Sequence, residues 1–251
     1  MKKFGFTLAE VMVALALIGV ITSLTIPTFI ASNRNRTNGS KAATMISAVE
    51  NAFTSMIAAE AVQNLSETDF GRIHSAANLG RYIKIQNSSE DMLDYYGAEI
   101  PFRLISNNGF WEGFTGESIF ETKNGALLIF DGRQRTVTQD KINETGGTID
   151  SSLGFLTIDI NGSEPPNVWG RDAFYFAIGN DGLLYPAGSK NFSILESEGD
   201  TATNTWDALG ANAGNNPSTD FRCNNGNDGN AGFKGVGCTA RLIQNNFEVD
   251  Y

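Results

Sequence analysis

The residue most able to do chemistry is Glu10. Its carboxylate stands immediately before an uncharged, mostly apolar run at residues 11–31. About 20 apolar residues are enough to cross the hydrocarbon core of a bilayer, so the run predicts a membrane-spanning helix. A helix in a soluble core would show a polar stripe, and this one is apolar all round. A carboxylate beside such a segment is costly to bury, which predicts that Glu10 has a function.

Two simpler interpretations account for Lys2, Lys3 and the apolar run, but they leave Glu10 unexplained. A secretory signal peptide has an apolar region of about 7–15 residues followed by a small-residue cleavage site. Here the run is longer, and no clear site of that kind follows it. A permanent signal anchor fits the length, but it gives no reason for the carboxylate.

The first ten residues also form an ordered pattern. Two lysines are followed by Gly5, the aromatic Phe6, Thr-Leu, Glu10 and then the apolar run. This pattern resembles the prepilin leader of type IV pilins and type II secretion pseudopilins. In that family a membrane-embedded prepilin peptidase cuts after the Gly and N-methylates the new terminal Phe. The resemblance therefore implies cleavage between Gly5 and Phe6, methylation of Phe6 and an assembly role for Glu10.

Cleavage would give Glu10 a partner, because it creates a free amine at Phe6. The carboxylate of one copy can pair with that amine on a neighbouring copy in lipid-like surroundings. Breaking a buried ion pair costs about 3–5 kcal/mol, so such a pair would set the register between subunits. The implied partners are the prepilin peptidase, other copies of the chain, other pilin-like subunits, an inner-membrane assembly platform and, before assembly, the lipid bilayer.

The helix is predicted to continue beyond the membrane, from Phe6 to about residue 62, a length of about 85 Å. Its second half carries one apolar stripe at helical spacing, formed by Ile46, Val49, Phe53, Met56 and Ile57. Gly19 and Pro27 interrupt the first half, because Gly lowers helix propensity and Pro removes a backbone hydrogen bond. They indicate either an ordinary kink or, as the resemblance implies, a segment that loses helicity when the subunit leaves the membrane.

The basic residues around the span, Lys2 and Lys3 before it and Arg34, Arg36 and Lys41 after it, give no clear orientation by the positive-inside rule. The resemblance places the N-terminus inside and the head outside a bacterial inner membrane, with a periplasmic or extracellular filament after assembly. The basic groups after the span are expected to meet lipid headgroups or acidic groups of neighbouring subunits.

The remaining residues are predicted to form one head with an antiparallel sheet. Residues 63–124 read as a connecting region with short helices starting near Ser66 and Ser89 and a turn at 107–109. Runs rich in strand formers follow at residues 126–130, 136–142, 155–160 and 174–178, and a hairpin turn follows at 180–182.

The predicted fold is therefore α+β, with a long N-terminal helix packed on an antiparallel sheet of four or five strands. The predicted divisions are a leader at 1–5, the membrane and assembly half of the helix at 6–31, its head-packing half at 32–64, and the globular head at 65–251.

A second resemblance lies in the head. The segments 159–162, 165–167 and 170–172, with Phe174, are similar to a block found in many bacterial pseudopilin-type proteins, and residues 237–243 and Tyr251 are similar to their C-termini. This favours a pseudopilin or minor pilin over a major pilin. Secretion, adhesion, motility and DNA uptake all use this subunit design.

The chain has two cysteines, Cys223 and Cys238. If the head lies outside the cytoplasm, a disulfide between them is expected, and closing that loop is worth about 3 kcal/mol in the chain-entropy model. The single histidine, His74, is expected on the solvated surface. With no recognisable catalytic motif and few nucleophile–base pairs, we predict no enzyme activity.

The formal net charge is -10, and loss of Lys2 and Lys3 makes the side-chain count -10 - 2 = -12. Such a surface disfavours nucleic acid as a partner. The loop with Asp159, Asn161 and Glu164 offers oxygen ligands of the kind that calcium prefers, but it is also an ordinary turn sequence, so we name no metal site and predict no cofactor other than possible calcium. The rival function is that of a monomeric membrane-anchored adhesin or binding protein.

Overall fold

The computed structural model describes residues 7–89, 118–131, 154–162, 164–165, 167–187, 235 and 238–248, together with the backbone of strands at 103–104, 107–110, 135–139, 147–151 and 193–195.

One helix, α1 (Leu8–Glu60), accounts for 53 of these residues and is about 80 Å long. It confirms the predicted long helix, and it runs through Gly19 and Pro27 without interruption. It ends where Ala61 adopts a left-handed conformation, with φ at 52°. All of its buried residues lie at or beyond Gly39, so the head covers only the second half of α1.

The hydroxyl side chains near Pro27 bond within the helix itself. Thr22, Ser23, Thr25 and Thr28 each donate to a carbonyl oxygen three or four residues earlier. In a bilayer, polar groups have no water to bond with and need such internal partners. These bonds therefore make this part of α1 compatible with lipid despite the four hydroxyl groups.

Within the described residues, three short helices and a 3-10 turn accompany α1. The 3-10 turn is Leu65–Glu67, and the helices are α2 (Asp69–Arg72), α3 (Ala76–Leu79) and α4 (Cys238–Gln244). The predicted helix start at Ser66 was wrong by two residues, because the hydroxyl oxygen of Thr68 accepts from the Gly71 amide and so caps α2.

The described strands are antiparallel wherever they pair, and they form three sheets. In chain order they are β1 (Ile85–Ser89), β2 (Arg103–Leu104), β3 (Asn107–Phe110), β4 (Ser118–Thr122), β5 (Leu127–Asp131), β6 (Arg135–Gln139), β7 (Gly147–Ser151), β8 (Phe155–Asp159), β9 (Ala173–Ile178), β10 (Leu184–Pro186) and β11 (Ser193–Leu195). The main sheet has the order β1-β4-β5-β8-β9-β10, and the smaller sheets are β11-β6-β7 and β2-β3.

The structure confirms the α+β class and three of the predicted strands, β5, β8 and β9. The hairpin turn at 180–182 is also confirmed, since it joins β9 to β10 and Gly182 has φ at +79°. The strand predicted at 136–142 was assigned to the wrong sheet, because its counterpart β6 pairs with β7 and β11 rather than with the main sheet.

The region predicted as a connection at 63–124 also contains strands, and β1 and β4 extend the main sheet to six. The turn predicted at 107–109 is wrong, because those residues belong to β3. The helix start predicted at Ser89 is also wrong at that residue, since Ser89 ends β1, and residues 90–93 lie outside the described residues.

The core lies between the main sheet and the second half of α1. Ile46, Val49, Phe53 and Met56 are buried and Ile57 is half-buried, which confirms the predicted stripe. Phe53, Phe70 and Phe130 pack with ring centroids between 5.2 and 6.3 Å apart, linking α1, α2 and β5. The solvated state expected of His74 was wrong, because its ring is half-buried, 5.1 Å from Phe70 and 5.8 Å from Phe130.

Candidate functional site

The first turn of α1 is closed by a reciprocal pair of side chains. The Glu10 backbone amide donates to Thr7 Oγ1 at 3.2 Å, and Glu10 Oε2 accepts from the Thr7 amide and the Thr7 hydroxyl, both at 2.8 Å. This is a capping box, which satisfies amide donors that the helix itself leaves without partners. The Thr-x-x-Glu spacing is visible in the sequence, but the prediction for Glu10 concerned only the ion pair and missed the cap.

The cap leaves Glu10 able to act on a second molecule. Both accepted bonds end on Oε2, and within the described residues the other oxygen, Oε1, accepts no hydrogen bond. Glu10 is also exposed. A carboxylate offers about four acceptor positions, so a helix cap and an intermolecular ion pair are compatible. The predicted cleavage and methylation residues, Gly5 and Phe6, lie outside the described residues.

The helix that follows Glu10 presents a continuous apolar surface. Leu8 is 79 % exposed and Phe29 is 73 % exposed, and between them no side chain of α1 is buried. Of the helices in the described part of the chain, α1 alone is long and apolar enough to cross a membrane. An exposed apolar surface of this extent marks a binding site for lipid or for other helices.

The exposed half ends at a collar, which we define as residues 34–39 of α1 with the head segments that contact them. Arg34 Nη2 donates to the carbonyl oxygen of Pro165 at 3.5 Å, and Asn38 Nδ2 donates to that of Arg171 at 3.1 Å. Arg34 was expected to meet lipid headgroups or neighbouring subunits, and the structure gives it a contact within its own chain. The collar fixes the head on α1 just beyond the apolar half.

The head side of the collar is the β8–β9 loop, which carries the second resemblance. Within it Asp172 is fully buried, and its Oδ1 accepts from the Val168 amide. Burial raises the pKa of Asp172 to about 6, although the Val168 bond and the Arg34 charge oppose this change. Asn167 adopts a left-handed conformation with φ at 46°. The loop is therefore a tightly built turn that rests on α1.

The candidate calcium ligands lie at the start of this loop. Asp159 is buried and its Oδ1 accepts from the Asn161 amide at 3.2 Å, while the Asn161 side chain donates to the carbonyl oxygen of Glu164. In the described ranges, no three His, Cys, Asp or Glu side chains are grouped so that they could hold a metal ion. Calcium binding stays a prediction.

Cys238 begins α4 and packs against the same loop. It is buried and disulfide-bonded, and a Cβ added at Gly170 would lie 2.5 Å from the Cys238 Cβ. Cys223 lies outside the described residues, so the pairing of Cys223 with Cys238 stays a prediction. The close approach at Gly170 places the two segments of the second resemblance side by side.

A comparison with protein families agrees with the N-terminal geometry. Residues 1–26 match the family described as the prokaryotic N-terminal methylation motif, which is the signature of type IV pilins and pseudopilins. No curated protein and no solved structure matches the chain significantly. The family match thus covers the leader, the capping box and most of the apolar half of α1.

Proposed function

We propose that this chain is a structural subunit, a pseudopilin or pilin, of a filament of the type IV pilus and type II secretion kind. The observation that carries the proposal is the continuity of the methylation motif at 1–26 with a helix half that the head leaves wholly exposed. The precursor would be cut between Gly5 and Phe6, methylated at Phe6, and polymerised through the first half of α1. The role is structural rather than enzymatic.

The membrane stores the subunit before assembly. The motif and the apolar half of α1 are consistent with a precursor anchored in the inner membrane. Lipid tails are as apolar as leucine, so exchanging lipid for neighbouring helices gains little hydrophobic free energy. The preference for a particular neighbour must therefore come from specific contacts.

Glu10 supplies such a contact. Cleavage would make the Phe6 amine the N-terminus, four residues before Glu10, and a methylated amine remains a cation. The capping box holds the Glu10 carboxylate at the first turn of α1 through Oε2, and Oε1 takes no part in the cap bonds. Pairing of this carboxylate with the Phe6 amine of the next copy would neutralise two charges in apolar surroundings. Burying either charge there without a partner would be costly.

The collar supports the same function. Its contacts hold the head at one end of the apolar half, so that neighbouring helices can approach one another without the head between them. We place the head outside the cytoplasm, where the Cys223–Cys238 disulfide would form. The inner-membrane assembly platform and other pilin-like subunits are the proposed partners.

The intact mass of the chain, purified from cells that carry a prepilin peptidase, tests the proposal. We expect a loss of residues 1–5 and the gain of one methyl group on Phe6. The matched control is the same chain from cells that lack the peptidase, which should retain residues 1–5. An intact N-terminus in both cells would contradict the proposal and would support the permanently anchored adhesin.

A further inference from the structure

The β9–β10 hairpin ends in a tip, residues 180–183, in which Gly182 packs on α1 while Asp181 and Leu183 are exposed. Asp181 is exposed, and its carboxylate is oriented by the Leu183 amide, which donates to Oδ1 at 3.1 Å, and by the Tyr185 hydroxyl, which donates to Oδ2 at 2.7 Å. Leu183 is 45 % exposed. The tip is anchored by the bond from the Leu65 amide to the Asn180 carbonyl oxygen, 2.8 Å long. It therefore presents one fixed negative charge beside one apolar side chain.

The opposite edge of the main sheet carries an open groove between α3 and β1, with a volume of about 590 Å³. Ala76, Ala77 and Gly80 give it a wall of small residues, and Lys84 and Lys123 are its charged residues. In the described part of the chain neither lysine forms a salt bridge. The chain has a net charge of -10, so this lysine groove is a basic site on a protein that is acidic as a whole.

The tip and the groove of one molecule cannot meet. The tip joins β9 to the edge strand β10, and the groove is lined by the opposite edge strand, β1. Five strand spacings separate the two edge strands by about 24 Å. Both features nevertheless lie beside the same turns of α1. Gly182 of the tip packs against Phe53 and Ile57, and Lys84 also lines a smaller cleft with Ala48 and Ser55.

We propose that the hairpin tip of one copy inserts into the lysine groove of the next copy. Leu183 would rest on the wall of Ala76, Ala77 and Gly80, and Asp181 would face Lys84 and Lys123. Because the two surfaces differ, the contact is heterologous, and in a filament, where the rotation between copies does not close into a ring, it repeats from copy to copy. This inference rests on the proposed function, since it names a contact between the heads of filament subunits.

Another explanation of the lysines is that they protect the edge strand β1 from unwanted pairing. That explanation needs neither the exposed Leu183 nor the oriented Asp181 on the far edge. It also predicts that loss of the Asp181 charge leaves assembly unchanged. The two explanations can therefore be separated by experiment.

Disulfide trapping tests the contact directly. The full chain with both Ala77→Cys and Leu183→Cys would be expressed with a prepilin peptidase, assembled and mildly oxidised. We expect a ladder of covalent multimers from the double variant, and at most dimers from either single variant. Filaments that form without a ladder would overturn the contact and leave the proposed function standing, whereas absence of filaments from the native chain would overturn both.

Charge variants provide the second test, with filament yield as the readout. Asp181→Asn keeps an Oδ1 acceptor for the Leu183 amide but removes the charge, and it should lower the yield about two- to fivefold, as expected for a rim ion pair. Asp181→Lys should lower it further, and combining it with Lys84→Glu and Lys123→Glu should restore it. The control is Glu248→Gln, which removes one negative charge at an exposed site that belongs to neither the tip nor the groove. If the filament yield of these variants depends only on the net charge of the chain, and not on which residues carry the charges, the contact is contradicted.

Discussion

Gly39 of α1 lies directly against the backbone carbonyl of Phe247, near the end of the described chain. A Cβ atom added at Gly39 would stand 1.7 Å from the Phe247 oxygen. The turn that brings this carbonyl to α1 is itself strained, because Asn246 and Phe247 both have positive φ, at 53° and 64°. The close contact thus joins the C-terminal turn to the collar, where the exposed half of α1 ends.

Gly39→Ala is therefore expected to destabilise the head by about 1–3 kcal/mol, the usual cost of overpacking against atoms that cannot move aside. The measurement is thermal unfolding of the full chain in detergent, followed by circular dichroism. The same substitution at Gly19 is a matched control, because nothing lies within 4 Å of a Cβ added there. Gly19→Ala should leave the head unchanged, because Ala favours the helix more than Gly does and meets no neighbour at that position. An equal loss in both variants would show that the Phe247 contact is not responsible.

Asp172 gives the head a predicted dependence on pH. Its pKa in the fold is raised to about 6 by burial, above an ordinary value of 3.8. The folded protein therefore holds this proton more tightly than the unfolded chain, and stability falls as pH rises from about 4 to 6. The total loss is at most about 3 kcal/mol.

Asp172→Asn should remove this dependence, because the amide oxygen can still accept from the Val168 amide while no charge forms. The free energy of unfolding is to be measured between pH 4 and 7 for both proteins. Burial also raises the pKa of Glu50, which acts in the same direction, so the difference between the native and variant curves is the relevant quantity. A difference that is constant with pH would show that Asp172 is not the titrating group.

Glu50 connects α1 to the last strand of the main sheet. Its Oε1 accepts from the Leu184 amide at 3.1 Å. Glu50→Ala would leave this part-buried amide without its partner and should cost about 1–3 kcal/mol. Glu50→Gln keeps the acceptor and removes a charge that burial disfavours, so it should cost less than the alanine variant at neutral pH. Equal losses in thermal unfolding would mean that the hydrogen bond contributes little.

The long helix was predictable because two independent patterns mark it. The apolar run of its first half and the stripe of its second half both depend only on neighbouring residues, and the structure confirms both. The strands β5, β8 and β9 were predictable for a similar reason, since their apolar and β-branched residues follow one another closely. β1 has a single apolar residue, Ile85, and exists through its pairing with β4, which local sequence does not reveal.

Sequence patterns also failed where distant segments meet. Nothing near His74 indicated that Phe130, 56 residues later, would pack against its ring. Strand propensity at 136–142 correctly indicated a strand, but propensity does not determine which strand it pairs with. The strand there, β6, pairs with β7 in a smaller sheet. The capping box at Thr7 and Glu10 is different, because its Thr-x-x-Glu spacing is local and visible in the sequence.

The cap observed at Glu10 and the ion pair proposed for it can be separated by two substitutions. Thr7→Ala removes the acceptor of the Glu10 amide but keeps the carboxylate, and loss of an N-cap costs about 1 kcal/mol. Glu10→Gln keeps a capping side chain, since Gln also serves in a capping box, but it removes the charge. If the carboxylate pairs with the Phe6 amine of a neighbour, Glu10→Gln should abolish assembly while Thr7→Ala reduces it only modestly. Membrane insertion should be unchanged in both, and filament yield with the membrane fraction as control is the measurement. Normal filaments from Glu10→Gln would rule out the ion pair, and equal defects in the two variants would assign the effect to the cap.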